Sequence, residues 1–121
     1  MKIILEANQL NRYLGELPNQ VHALRDASLQ VESGKTYAIV GHSGSGKSTL
    51  LYLLGLLDQP DSGSLTLDGT LVDRLSDEAR TELRNRCLGF VFQFHFLLKE
   101  FSVLENVCLP MRKRGQLELA E

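Results

Sequence analysis

At 121 residues the chain has room for one modest domain, able to hide roughly two thirds of its unfolded surface. Hydrophobic residues at 43% and charged residues at 23% exclude a disordered polar chain. A formal net charge of -2 argues against a strongly basic nucleic-acid binder, so phosphate binding has to come from local geometry. Cys87 and Cys108 sit in apolar-looking stretches without metal or redox spacing, which predicts two reduced core thiols. Residues 1–6 hold too short an apolar run for a signal peptide, and the longest apolar run, 50–57, is broken by Gly55. That falls well below the roughly 20 residues of a membrane span, so the expectation is a cytoplasmic chain whose membrane contact is indirect.

In chain order, alternating hydrophobic and polar residues predict a strand over 3–10 and a second over 23–31, around Leu24, Ala27 and Leu29. Turn clusters occupy 15–19 and 32–35. Residues 37–40, Tyr-Ala-Ile-Val, are apolar on both parities, the pattern of a strand buried on both faces. The leucine-dense run 49–57 predicts a helix ended by Asp58-Gln59-Pro60-Asp61-Ser62-Gly63. Residues 64–68 read as a short strand turning at Gly69. Ser76 caps a helix reaching about Arg86, with Asp77 and Glu78 in its first turn, where the dipole favours negative charge. Residues 88–92 read as a strand ending at Gln93. Ser102 and Glu105 have capping-box spacing for a last helix reaching about Met111, with Pro110 near its end. Arg112-Lys113-Arg114 reads as a solvated helix end.

The informative segment is Gly41-His42-Ser43-Gly44-Ser45-Gly46-Lys47-Ser48-Thr49, which fits the Walker A pattern between an apolar strand and a helix. Glycines let the backbone turn left-handed, so successive N–H groups form a concave nest for phosphate oxygens. The helix starting near Gly46 adds the positive end of its dipole. In this pattern Lys47 reaches the β- and γ-phosphates as a mobile charge, and the Ser48 hydroxyl binds magnesium. The bland alternative, a glycine-serine turn, has no need of lysine and serine at those offsets.

Other candidates carry two readings each. Tyr13 either stacks on a base or is a half-buried strand-end tyrosine. Gln93 either ligates magnesium and orients a water, or is a polar strand end. Leu65-Thr66-Leu67-Asp68 is rejected as a Walker B strand, because Gly69 makes Asp68 a turn residue and no glutamate follows. His22, His42 and His95 have no metal-ligand spacing.

Taken together, these residues resemble the ATP-binding-cassette ATPases along nearly the whole chain. The resemblance implies an α/β P-loop NTPase fold, here its N-terminal portion, with an antiparallel β-subdomain and an incomplete parallel core sheet. It implies that Tyr13 stacks on adenine, that the Walker A loop runs from Gly41 to Thr49, and that Gln93 is the Q-loop glutamine sensing the γ-phosphate through magnesium and water. Lys47 and Gln93 are then the catalytic-site residues, Ser48 and Gln93 the magnesium ligands, and ATP with Mg2+ the bound species. Leu83-Arg84-Asn85-Arg86, Gly89-Phe90-Val91-Phe92-Gln93-Phe94-His95 and Leu97-Leu98-Lys99-Glu100-Phe101-Ser102-Val103-Leu104-Glu105-Asn106-Val107 look like the lipoprotein-releasing branch, with macrolide exporters as close relatives. Implied partners are membrane permease subunits, met through residues 94–101, and a second ATPase copy in a nucleotide-sandwich dimer. The implied place is the inner face of the cell membrane.

The chain reaches Glu121 before any LSGGQ-like signature, Walker B pair or switch histidine. Residues 1–121 are therefore expected to be a partial nucleotide-binding domain that binds ATP without turning it over, and whose apolar strand 37–40 favours association. Other readings stay open: a small kinase, a GTPase (although no Asn-Lys-x-Asp motif is present), or a non-catalytic ATP-dependent interaction module.

Overall fold

The computed structural model describes residues 2–94 and 96–113. The chain divides into two compact units, Met1–Ser76 and Asp77–Glu121.

In the first unit, strand β1 (Ile3–Leu14) pairs antiparallel with β2 (Val21–Glu32) on one side. On its other side it pairs antiparallel with β3 (Ser62–Leu67), which turns into the short β4 (Thr70–Leu71), giving the order β2-β1-β3-β4. Helix α1 (Lys47–Leu54) packs on β2 and buries Leu53 and Leu54. The core of the unit is completed by Leu5, Ala7, Leu10, Leu24, Leu56, Leu65, Leu67 and Val72.

Both long strands outrun their expected ends, and bulges explain how. Leu5 and Ala7 face the core from odd positions, whereas Leu10 does so from an even one. Strand alternation forbids that unless an extra residue is inserted. Ala7 pairs with Leu29 and Leu10 with Ala27, so β1 carries the extra residue. Gln9 takes it up at φ 50°, its N–H donating to Ser28 Oγ at 2.8 Å. A matching insertion on β2 sits at Asp26, φ 43°, where Asn11 accepts the Asp26 N–H at 3.1 Å and donates to its carboxylate at 3.0 Å. Gly63 passes the first bulge at φ 96°, and a Cβ there would strike the Gln9 carbonyl.

The segment leaving α1 is tied back to β1 by an arginine fork. Arg12 Nε and Nη2 meet Asp58 at 2.8 and 3.2 Å, and Nη1 meets Asp61 at 3.3 Å. Asp61 also accepts the Tyr13 N–H at 2.7 Å. That backbone hydrogen bond, with help from Arg12, holds the Asp61 carboxyl below its usual range, while Asp58 holds the Arg12 guanidinium above its own.

In the second unit, α2 (Asp77–Cys87) is polar nearly all round and buries Leu83. Cys87 is exposed at its end, against the expectation of a core thiol, whereas Cys108 is buried as expected. Helix α3 (Val103–Lys113) opens with the expected capping box: Glu105 N–H donates to Ser102 Oγ and Ser102 N–H to Glu105 Oε1, both at 3.1 Å. Of the basic helix end, Arg112 and Lys113 belong to α3, and Arg114 lies outside the described residues, as does His95.

Two expected strands are absent among the described residues. Residues 37–40 and 88–92 form no ladder, and Tyr37 and Val40 are 46% and 86% exposed instead of buried. A strand exists only through hydrogen bonds to a neighbour, and neither segment has one in the four-stranded sheet.

Leu10→Ala opens a cavity at a site with 0% exposure, and urea unfolding should show a loss of about 2–5 kcal/mol. Glu105 is held below the usual carboxylate range chiefly by the Ser102 N–H. A lowered folded-state pKa means stability present above the unfolded value and lost as pH falls through the folded one. Acid titration followed by circular dichroism should therefore show helix loss in that window, and Glu105→Gln should reduce that loss.

Candidate functional site

The nine-residue glycine motif lies in the first unit and ends as the first turn of α1. Its loop is concave: residues His42, Ser43, Gly44, Ser45, Gly46, Lys47 and Ser48 line a cavity of about 350 Å³. Gly44 and Gly46 turn left-handed at φ 84° and 96°, and Ser45 N–H closes a turn on the His42 carbonyl at 3.2 Å. Gly46 is the N-cap of α1, and no side chain caps the helix there. The first turn-closing bond is Leu50 N–H to Gly46 O at 2.9 Å, so the N–H groups of Lys47, Ser48 and Thr49 have no carbonyl partner within the helix. Unpaired amides at the positive end of a helix dipole attract an anion.

Lys47 arches back over the loop. Its ammonium donates to the carbonyls of Gly41 and His42, the latter at 3.0 Å. Cation and amides thus border one small volume. The His42 ring turns aside onto the Ser43 carbonyl at 2.8 Å. Ser48 is exposed beside the cavity, whereas Thr49 is half-buried in the helix behind it.

The loop is seated on β2. Arg12 pairs with Leu24 and Tyr13 with His22, leaving Ala23 as a third bulge residue. A Cβ on Gly46 would lie 2.6 Å from the Ala23 carbonyl. One rung away, Tyr13 and His22 stack with ring centroids 4.1 Å apart and planes 12° apart, and Tyr13 remains 39% exposed.

The structure therefore brings residues 42–48 into one cradle, with the Gly41 carbonyl under the Lys47 ammonium and Thr49 in the helix behind, and puts Tyr13 on the neighbouring strand pair. Gln93 belongs to the second unit, exposed in the bend after residues 88–92. Asp68 is a turn residue at φ 48°, paired with Lys2 at 3.1 Å. Sequence reasoning missed the Arg12 fork, the His22 stack and Asn106. The Asn106 amide stitches the segment before α3 by accepting the Leu98 N–H at 2.9 Å and donating to the Leu98, Phe101 and Ser102 carbonyls. Only the bulged register pairs His22 with Tyr13, and alternation does not reveal it.

Residues 24–121 match the family model described as ABC transporter. The chain is 52% identical over 111 residues to the lipoprotein-releasing system ATP-binding protein LolD of Bordetella avium, covering 92% of this chain and 48% of that protein. A dimeric bacterial ABC transporter cassette is similar with TM-score 0.86 and 32% identity, over 92% of this chain and 48% of that one. A dimeric post-hydrolysis cassette bound to ADP and Pi is similar with TM-score 0.86 and 30% identity, over 97% and 54%. The chain spans about half the length of the curated relatives it matches. Among the described residues no helix is long and apolar enough to cross a membrane.

Gly46→Ala places a side chain against the Ala23 carbonyl at a left-handed φ. Denaturant unfolding should register a loss of about 1–3 kcal/mol from the backbone strain alone; an unchanged midpoint would contradict the seating of the loop on β2.

Proposed function

The chain belongs to the ABC transporter family, and we propose that it binds ATP as part of a transport ATPase subunit whose nucleotide hydrolysis drives lipoprotein release from the inner membrane. The observation that carries the reading is the Lys47 ammonium folded back over the loop beside an uncapped helix N-terminus, so that a cation and free amides border one hollow of about 350 Å³. A triphosphate tail lies among the N–H groups of residues 44–49, and Lys47 exchanges loop carbonyls for phosphate oxygens. Similarity to a lipoprotein-releasing ATP-binding protein supports the substrate class, and a cassette solved with ADP and Pi supports the nucleotide.

Ser48 and Gln93 offer hydroxyl and amide oxygens, hard donors suited to Mg2+. An Mg2+ ion held by the Ser48 hydroxyl would supply charge neutralisation at the β- and γ-phosphates. Tyr13 offers its ring face to the adenine. Gln93 senses the γ-phosphate, and the segment after it meets a membrane permease. That last role is supported by Phe94, Phe96 and Leu97, exposed at 65%, 67% and 58%, since clustered exposed apolar groups mark partner surfaces. The remaining parts of the reading are a second ATPase copy across the nucleotide, as in the dimeric cassettes, and a peripheral position on the inner face of the membrane.

Lys47→Ala removes a charge-assisted contact, so calorimetric titration with ATP and magnesium should show affinity lower by about tenfold to a hundredfold. Equal affinity in the two proteins would overturn the assignment of the cradle.

A further inference from the structure

The Tyr13 ring has two faces, and one of them is taken. His22 lies parallel to it, 12° off, at 4.1 Å between centroids. The imidazole is itself fixed. Asn11 Nδ2 donates to the Gln9 carbonyl at 3.1 Å and to Asp26 Oδ1 at 3.0 Å, which turns Asn11 Oδ1 toward the other side as acceptor. That oxygen receives the Asp26 N–H at 3.1 Å and the His22 Nε2–H at 2.9 Å. The backbone of Tyr13 is held as well, its N–H donating to Asp61 at 2.7 Å.

The rung is also indexed to the phosphate loop. Ala23, next to His22, is the bulged residue whose carbonyl abuts Gly46. Bulges re-aim the chain near sites of function, and this one joins the aromatic pair and the loop through a single residue of backbone.

We propose that His22 is a positioning residue for the nucleobase: stacked beneath Tyr13 and hydrogen-bonded to Asn11, it holds the phenol ring at a fixed height and tilt, leaving the opposite face for a purine. The proposal rests on the reading of Tyr13 as the base-stacking residue. A ring held by a second ring loses little freedom when a base arrives, which favours binding through preorganisation. The contribution concerns the base alone, because the triphosphate is gripped by residues 44–49.

The test titrates the 121-residue chain with ATP and separately with inorganic tripolyphosphate, both with magnesium, for the unsubstituted protein, His22→Ala and His22→Phe. Expected is a loss of roughly three- to tenfold in ATP affinity for His22→Ala, the scale of one aromatic stack. His22→Phe, which keeps a ring under Tyr13, returns most of it, and tripolyphosphate affinity is the same in all three. ATP affinity untouched by His22→Ala overturns the proposal. So does an equal loss for ATP and tripolyphosphate, which marks a merely structural role. An unsubstituted chain that binds tripolyphosphate as tightly as ATP overturns the base platform while leaving the phosphate cradle standing; one that binds neither overturns both.

Discussion

The close approach between the Ala23 carbonyl and Gly46 is the constraint on which the first unit is built. A glycine-rich loop has too much backbone freedom to hold a shape unaided. Here it is pressed against a strand at a point where any side chain would collide, and the strand is bulged at that residue to make the approach. The cradle's curvature follows from that seat, as does the direction of α1, whose exposed first-turn amides give the loop its anion-seeking character.

The other end of α1 is fixed by charge. Arg12 reaches from β1 to both Asp58 and Asp61, with its own side chain only 25% exposed. Surface ion pairs contribute little singly, but a forked guanidinium with two carboxylates and a backbone N–H on one of them forms a small network. One strand pair thus grips the helix at entry and exit. The cradle inherits its rigidity from the sheet, even though its lining atoms belong to a loop.

Much of this was legible in the residues. The spacing of Gly41, Gly46, Lys47 and Ser48 announced the cradle, and Ser102 with Glu105 announced the start of α3. The bulges at Gln9, Ala23 and Asp26 were not legible. They depend on cross-strand partners such as Ser28 and the Asn11 amide, and a periodicity count cannot see across strands. Residues 37–40 and 88–92 read as strands because apolar composition reports a preference for burial, whereas a ladder needs a hydrogen-bonded neighbour. Cys87 was misplaced for a related reason: Leu88 and Phe90 make its surroundings look apolar, yet it ends a helix that buries little beyond Leu83. His22, dismissed because it had no metal spacing, owes its place to a neighbour nine residues earlier.

The folded-back Lys47 has one further implication. Its ammonium is already solvated by two peptide oxygens, so the cradle is not electrostatically bare. A polyanion bound there would have to outcompete those oxygens for the ammonium at the end of its four-carbon stem. Such binding would be a substitution within an existing coordination sphere, its strength set by the difference between two sets of oxygen partners and not by the whole attraction of a positive charge for a negative one.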